Sequence, residues 1–183
     1  MNRFFPYRSS HRLRGFDYSL PDAYYVTICT FKKRCIFGEI HSGQVYLNAL
    51  GEIVRDEWLR TPELRTGVTL GEFVVMPNHM HGIIVIGEIA GDLPVAPTGL
   101  GPRRGSLGAI VGSFKGEVTK KIRQYLNMPL FDVWQRDYYD HIIRDGDDWD
   151  RIEAYILENP INWASDPENP ANRGRPSGRP YRA

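Results

Sequence analysis

The sequence predicts an α+β fold in which helices cover one face of an antiparallel sheet. The chain has 183 residues, of which 42% are hydrophobic, so it can bury one core and has little room for a second. Runs of β-branched and aromatic residues alternate with segments of helical periodicity. Two of these runs flank Pro77-Asn78, a turn sequence that indicates adjacent antiparallel strands.

The first half of the chain contains a predicted strand, a hairpin and a helix. Residues 23–31 form a β-branched and aromatic run, and residues 36–39 and 44–47 are predicted to form a short hairpin interrupted by His41-Ser42-Gly43. The apolar residues that follow recur at helical spacing until Pro62 ends the pattern: Leu47, Leu50, Ile53, Val54 and Trp58.

The second half predicts two strands, a long helix, one further strand and a final helix. The two strands are residues 68–76 and 79–87. Ser106 can cap the long helix, whose apolar residues fit a period of 3.6. An extended stretch over 133–143 precedes the last helix, which ends before Pro160. This order is that of a ferredoxin-like or RRM-like antiparallel sheet followed by a C-terminal helix.

Composition excludes several classes of protein. The chain has no apolar run of about 20 residues, so we expect no membrane span. No apolar segment of a signal peptide follows the basic N-terminal residues, so we expect a cytoplasmic protein. Two cysteines, Cys29 and Cys35, are too few for a disulfide scaffold or a four-thiolate zinc site. The formal charge of +1 by itself indicates no partner.

Charge and composition divide the chain into three predicted regions. Residues 1–18 form a basic N-terminal arm, residues 19–165 a folded domain, and residues 166–183 a flexible tail rich in proline, glycine and arginine. Arginine-rich arms often contact phosphates, and a simple solvated terminus is the alternative for each of them.

The sharpest motif is a pair of histidines at the start of a predicted strand. His79 and His81 are two residues apart, and the period of a strand places both on one face. Neutral imidazoles in this arrangement are good ligands for a divalent cation, although a polar strand end without a metal is the alternative.

Two polar residues of the last helix form a second candidate pair. Tyr155 and Asn159 lie one helical turn apart on the flank of its apolar stripe, so they point in the same direction. A tyrosine oxygen can attack phosphorus when a cation neutralises the phosphate, and a tyrosine at the rim of a packing interface is the alternative.

Three motifs occur in order along the chain. They are Pro77-Asn78-His79-Met80-His81-Gly82, the run Trp-Gln-Arg-Asp-Tyr-Tyr-Asp-His-Ile-Ile-Arg over residues 134–144, and Tyr155-Ile156-Leu157-Glu158-Asn159-Pro160. In this combination the chain resembles the HUH-type single-strand DNA transposases, specifically the REP-associated tyrosine transposases. The resemblance covers residues 12–162, which is most of the chain.

The resemblance implies a DNA endonuclease and strand transferase. Tyr155 would be the nucleophile that forms a 5′-phosphotyrosine link with single-stranded or hairpin (REP-like) DNA. His79, His81 and Asn159 would hold Mg²⁺ or Mn²⁺, and residues 19–165 would be the nuclease domain. The link keeps the energy of the broken phosphodiester, so no nucleotide cofactor is expected. The protein would act as a monomer or a homodimer.

Positive charge on the glycine- and proline-rich loop over residues 88–105 and on the long helix is a candidate DNA-binding surface. With the basic arm, it gives six candidate contacts: Arg12, Arg14, Arg103, Arg104, Lys115 and Lys121. A solvated helix face is the alternative for the lysines. Two other functions remain open, namely a DNA- or RNA-binding regulator without turnover and a metal-dependent phosphodiesterase that uses water as the nucleophile.

Overall fold

The computed structural model describes residues 17–18, 20–87 and 105–172. These residues form six strands and three α-helices in the predicted order. The elements are β1 Asp22–Cys29, β2 Gly38–His41, β3 Gln44–Leu47, α1 Ala49–Leu59, β4 Val68–Val75, β5 His79–Ile86, α2 Leu107–Leu126, β6 Tyr139–Ile143 and α3 Gly146–Glu158. No helix in this part of the chain is long and apolar enough to cross a membrane.

Four strands form one antiparallel sheet in the order β4-β5-β1-β6, and β2 and β3 pair separately as a hairpin. Strands β1 and β4 run in the same direction with β5 between them, which is the split βαβ arrangement of a ferredoxin-like sheet. The predicted α+β fold is therefore confirmed. Pairing between the two central strands sets Thr27 opposite His81 and Cys29 opposite His79.

The two faces of the sheet carry different helices. Helices α1 and α2 cover one face, and their core includes Tyr24, Val26 and Ile28 of β1. Helix α3 packs on the opposite face, where Ile152 and Ile156 meet a second cluster of strand residues. The prediction that helices cover one face holds for α1 and α2, whereas the C-terminal helix lies on the face that carries the two histidines.

The predicted extended stretch over 133–143 is a strand only from Tyr139 onward. Before it, the side chain of Trp134 is buried against Phe37, with 5.1 Å between ring centroids, and a single bridge joins Trp134 to Thr30. Lys115 Nζ donates to the carbonyl oxygens of residues 135 and 136 at 2.8 and 2.9 Å. These carbonyls are therefore satisfied by a side chain instead of a strand ladder.

The predicted hairpin begins two residues later than expected. The backbone N–H groups of Ile36 and Phe37 both donate to the carbonyl oxygen of Pro77, at 2.9 and 3.0 Å. Residues 36 and 37 are therefore held by the turn before β5, and pairing with β3 starts at Gly38.

The packed part of the chain extends past the expected boundary at residue 165. Two short 3-10 helices, Trp163–Ser165 and Pro170–Asn172, follow α3. Asn169 Nδ2 donates to the carbonyl oxygen of Trp163 at 2.8 Å, and Asn172 Nδ2 donates to that of Ala164 at 2.8 Å. Residues 166–172 thus fold back against the domain instead of starting a flexible tail. The rest of that tail and most of the N-terminal arm lie outside the described residues.

Candidate metal centre and tyrosine

The side chains of His79 and His81 converge at the start of β5. Their Nε2 atoms lie 3.0 Å apart, and both side chains point toward α3, as the period of the strand predicts. His79 is 0% and His81 2% exposed. Met80, between them, packs into the core on the other face.

Each histidine is held through its Nδ1 atom. His79 Nδ1 lies 2.8 Å from Oδ1 of Asn78. His81 Nδ1 lies 2.8 Å from the hydroxyl of Tyr25 and 2.9 Å from that of Thr27, both on β1. The two rings therefore present their Nε2 atoms to a common point, as metal ligands do when a second group holds the other nitrogen.

Burial keeps both imidazoles neutral. It lowers the pKa of His79 to about 3, and the charge of Lys33 adds to this effect, whereas the neighbouring Asn159 side chain opposes it. Burial also lowers the pKa of His81 well below its ordinary value, and the neighbouring His79 contributes. A neutral imidazole is the form that binds a metal ion.

Asp166 is the site residue that the sequence analysis missed. Its carboxylate lies 3.8 Å from His79 Nε2, and possible ligand atoms of His79, His81 and Asp166 all lie within 4.8 Å of one another. Burial raises the pKa of this carboxyl group, although a hydrogen bond from the backbone N–H of Glu168, at 2.5 Å, opposes the rise. The only signal for Asp166 in the sequence is that an acidic residue follows α3. No regular spacing relates it to the two histidines.

The segment around Asp166 is fixed by contacts with the start of the sheet. Lys33 Nζ forms an ion pair with Glu168 at 2.9 Å, and Asn78 Nδ2 donates to the carbonyl oxygen of Glu168 at 2.7 Å. The ring of Trp163 lies 6.0 Å from the ring of His79, measured between centroids. These contacts place the segment over the two histidines.

Helix α3 brings Tyr155 and Asn159 to the same place. The Tyr155 ring lies 5.3 Å from the His81 ring and 6.3 Å from the Tyr25 ring, between centroids, with an edge-to-face geometry in both cases. Tyr155 is half-buried, whereas Asn159 is 2% exposed. The amide group of Asn159 lies against both His79 and Asp166.

The start of α3 is held by two acidic residues. Asp145 accepts a hydrogen bond from the backbone N–H of Asp148 at 2.8 Å and so caps the helix. Asp148 in turn lies 2.8 Å from Nε2 of His141 on β6. His141 and the acidic residues therefore fix the helix that carries Tyr155 and stand outside the metal-ligand cluster.

The donor atoms fit a divalent cation. Among residues 17–18, 20–87 and 105–172, Asn159 Oδ1 and Asp166 Oδ2 are buried and accept no hydrogen bond. Buried polar atoms normally have a partner, so such atoms beside two imidazole nitrogens could serve as ligands to a cation. Two nitrogens, one carboxylate and one amide oxygen suit a divalent metal.

The predicted DNA-binding residues are not part of this cluster. Lys115 and Lys121 belong to α2, on the opposite face of the sheet. Lys121 pairs with the buried carboxylate of Glu57, and burial lowers the pKa of Lys115, whose ammonium group binds backbone carbonyls. Both lysines thus have structural partners, and their contact with DNA stays a prediction. The four predicted arginines, Arg12, Arg14, Arg103 and Arg104, lie outside the described residues.

Comparison with known proteins finds one relative of similar length. No family model matches the chain. An uncharacterised protein of Haemophilus influenzae is 42% identical over 168 residues, which cover 87% of this chain and 92% of that protein. The chain belongs to the family of this Haemophilus protein.

Comparison with solved structures bears on the fold. The structure of a REP-associated tyrosine transposase bound to a REP hairpin matches 83% of this chain and 74% of its own, with 18% identity and a TM-score of 0.53. The chain therefore has the fold of a REP-associated tyrosine transposase, as predicted. A candidate transposase from Deinococcus radiodurans matches 79% of this chain and 94% of its own, at 15% identity and a TM-score of 0.46.

Proposed function

We propose that the protein is a DNA endonuclease and strand transferase that uses Tyr155 as its nucleophile. The observation that carries the proposal is the contact between the Tyr155 ring and the His81 ring, beside two Nε2 atoms that converge to 3.0 Å. A phenol next to a cation site is an arrangement that suits a metal-assisted attack on phosphorus. The shared fold of a transposase that binds a REP hairpin supports single-stranded or hairpin DNA as the substrate.

The reaction transfers one phosphoryl group to the tyrosine. Tyr155 Oη loses its proton and forms a bond to phosphorus, the bond from phosphorus to the 3′ oxygen breaks, and the 3′ oxygen takes up a proton to leave as a 3′-OH, so no net proton is gained or lost. The 5′-phosphotyrosine keeps the energy of the phosphodiester. A second 3′-OH can therefore reverse the step on another strand end without a nucleotide cofactor.

Four residues would hold the cation, which we propose to be Mg²⁺ or Mn²⁺. His79, His81 and Asp166 form the buried ligand group, and the Asn159 amide oxygen lies beside it. A divalent cation bound there supplies positive charge that neutralises the phosphate and polarises its bonds. Each of these four side chains is at most 4% exposed, so entry of a DNA phosphate requires a displacement of the segment that carries Trp163 and Asp166.

The test is a covalent adduct between protein and DNA on a denaturing gel. Labelled single-stranded palindromic DNA is incubated with the protein and Mn²⁺ or Mg²⁺, with EDTA in a parallel sample. We expect an adduct from the natural protein and from Tyr125→Phe, a matched control at an exposed position of α2. We expect none from Tyr155→Phe, from His79→Ala or in EDTA.

Two outcomes would contradict the proposal. Cleavage by Tyr155→Phe without an adduct would identify a phosphodiesterase that uses water. Tight binding that survives EDTA, without cleavage of any of several palindromes, would identify a binding protein.

The basic loop and arm are proposed to contact the DNA backbone. We expect Arg103→Ala combined with Arg104→Ala to weaken binding of all DNA sequences alike. The slope of log affinity against log salt should fall by about 1.4 to 1.8, because each lost phosphate contact removes about 0.7 to 0.9. An unchanged slope would exclude both arginines as phosphate contacts.

A further inference from the structure

Two different hydrogen-bond networks hold the ring nitrogens of His79 and His81 that face away from the cation site. His79 Nδ1 lies 2.8 Å from Asn78 Oδ1. His81 Nδ1 lies 2.8 Å from Tyr25 Oη and 2.9 Å from Thr27 Oγ1. The networks differ in which partner is able to donate, and this difference limits which ring nitrogen of each histidine can carry the proton.

Asn78 permits only one direction of hydrogen bond with His79. Its Nδ2 donates to the carbonyl oxygens of Lys33 and Glu168, at 3.2 and 2.7 Å. A carbonyl oxygen only accepts, so the orientation of the amide group is fixed by these two contacts. The atom that faces His79 is therefore Oδ1, which also only accepts, and His79 must carry its proton on Nδ1. The lone pair of the neutral ring is then on Nε2, inside the site.

The hydroxyl groups beside His81 permit a hydrogen bond in either direction with its Nδ1 atom. A hydroxyl group donates and accepts, and Thr27 Oγ1 also donates to Tyr25 Oη at 3.1 Å. Tyr25 can donate to a bare Nδ1 of His81 while it accepts from Thr27. Alternatively, a protonated Nδ1 can donate to Thr27 while Thr27 still donates to Tyr25. The bond between the two hydroxyl groups has the same direction in both cases.

The distance between the two Nε2 atoms decides which state belongs to the protein without a cation. Two lone pairs facing each other at 3.0 Å would repel, so His81 should carry a proton on Nε2 and donate it to His79. A cation needs lone pairs on both Nε2 atoms, so the proton of His81 must then be on Nδ1.

We propose that Asn78, Tyr25 and Thr27 are positioning residues that set the tautomers of the two histidines. Asn78 keeps His79 in the Nδ1–H form at all times, whereas Tyr25 and Thr27 allow His81 to change from the Nε2–H form to the Nδ1–H form when a cation binds. The change moves one proton from Nε2 to Nδ1, with no net gain or loss. The second half of the proposal rests on the proposed function, because it requires a cation, and the first half does not.

The test is long-range ¹H–¹⁵N NMR of the full chain with ¹⁵N-labelled histidine, which distinguishes the two tautomers of a neutral imidazole. Spectra are recorded at pH 7 without metal and during titration with MgCl₂, and signals are assigned with single histidine variants. Without metal, we expect His79 as Nδ1–H and His81 as Nε2–H. With saturating Mg²⁺, we expect both histidines as Nδ1–H.

The outcomes separate this inference from the proposed function. His79 in the Nε2–H form would overturn the role of Asn78, whatever the metal does. His81 that stays in the Nε2–H form, while other signals show saturable Mg²⁺ binding, would overturn the change of tautomer and leave the metal site intact. A spectrum that does not respond to Mg²⁺ or Mn²⁺ would overturn the change of tautomer together with the proposed metal site.

Variants test the hydroxyl pair directly. Tyr25→Phe combined with Thr27→Val removes both hydroxyl groups, and we expect the affinity for Mn²⁺ to fall about 10- to 100-fold, as is typical when the partners of metal ligands are removed. Thr27→Val alone should act in the same direction with a smaller factor, and it serves if the double variant does not fold. Tyr24→Phe is the matched control, since its hydroxyl group donates to the Leu20 carbonyl away from the site. Unchanged affinity in folded Tyr25→Phe with Thr27→Val would overturn the proposal.

Discussion

Replacing Asp166 by asparagine should raise stability without a metal ion and reduce the stability that a metal ion adds. In the described structure, Asp166 Oδ2 is buried without a hydrogen bond and lies 3.8 Å from His79 Nε2. Burial of this carboxylate opposes its charged form. An amide group in its place carries no charge to bury and can keep the bond from the N–H of Glu168.

The expected magnitudes follow from these contacts. Removing a buried charged group that has no hydrogen bond relieves about 1 to 3 kcal/mol, so Asp166→Asn should raise the free energy of unfolding in EDTA by about 1 kcal/mol. For a chain of this size, that corresponds to a rise in Tm of about 2 to 4 °C. With Mn²⁺ at about 100 times its Kd, the natural protein should gain about 2.7 kcal/mol. A tenfold loss of affinity in the variant would reduce this gain to about 1.4 kcal/mol.

The assay is thermal unfolding followed by circular dichroism, in EDTA and over a titration with MnCl₂, with isothermal calorimetry for the affinity. Asp150→Asn, an exposed acid in α3, is the matched control and should show the full metal-dependent rise in Tm. The opposite result would be an Asp166→Asn variant that is less stable than the natural protein in EDTA and still shows the full rise in Tm with MnCl₂. Asp166 would then be a structural residue and not a ligand.

Two further predictions concern the fold. Gly82→Ala should lower the free energy of unfolding, measured by urea denaturation, by about 1 to 3 kcal/mol, because the new Cβ would lie 2.4 Å from the Trp58 ring. Gly112→Ala, on the open surface of α2, should instead raise the free energy of unfolding by about 0.5 to 1 kcal/mol. Equal effects at the two glycines would contradict this account. Burial acts to raise the pKa of Glu57, but hydrogen bonds and charges of Lys121 and Arg60 outweigh it and hold the pKa below its ordinary value. The ion pair therefore stabilises the fold fully above the pKa of an unfolded glutamate, about 4.3, and this contribution is lost as the pH falls through the lower folded pKa. Urea unfolding at pH 7 and pH 3 should show a smaller acid-induced loss for Glu57→Gln, and an identical loss would contradict the prediction.

The parts of the site that the sequence could predict are those set by local geometry. The period of a strand is enough to place His79 and His81 on one face, and the pitch of a helix is enough to pair Tyr155 with Asn159. That these two pairs meet depends on tertiary packing, and here the resemblance to a known family supplied the expectation. The contacts among the four side chains now support it.

The parts that could not be predicted depend on contacts between distant residues. Asp166 is positioned by irregular backbone, by hydrogen bonds from asparagine side chains and by the contacts of Glu168 with Asn78, none of which has a sequence period. Residues 133–138 include β-branched and aromatic types that favour a strand. However, Trp134 is buried in the core and Lys115 binds the backbone there. Tertiary contacts override local propensity at both places.

Strand β1 connects the fold to the site, because one of its faces packs in the core and the other contacts His81. Residues Tyr24, Val26 and Ile28 are buried in the core with α1 and α2. The residues between them, Tyr25 and Thr27, face α3 and bind His81 on the neighbouring strand. Removing the hydroxyl group of Tyr25 or Thr27 should therefore affect metal binding. Removing that of Tyr24, on the opposite face, should affect stability alone. A shift of one residue in the pairing of β1 would exchange these two sets, so the register between β1 and β5 that builds the core also builds the proposed metal centre.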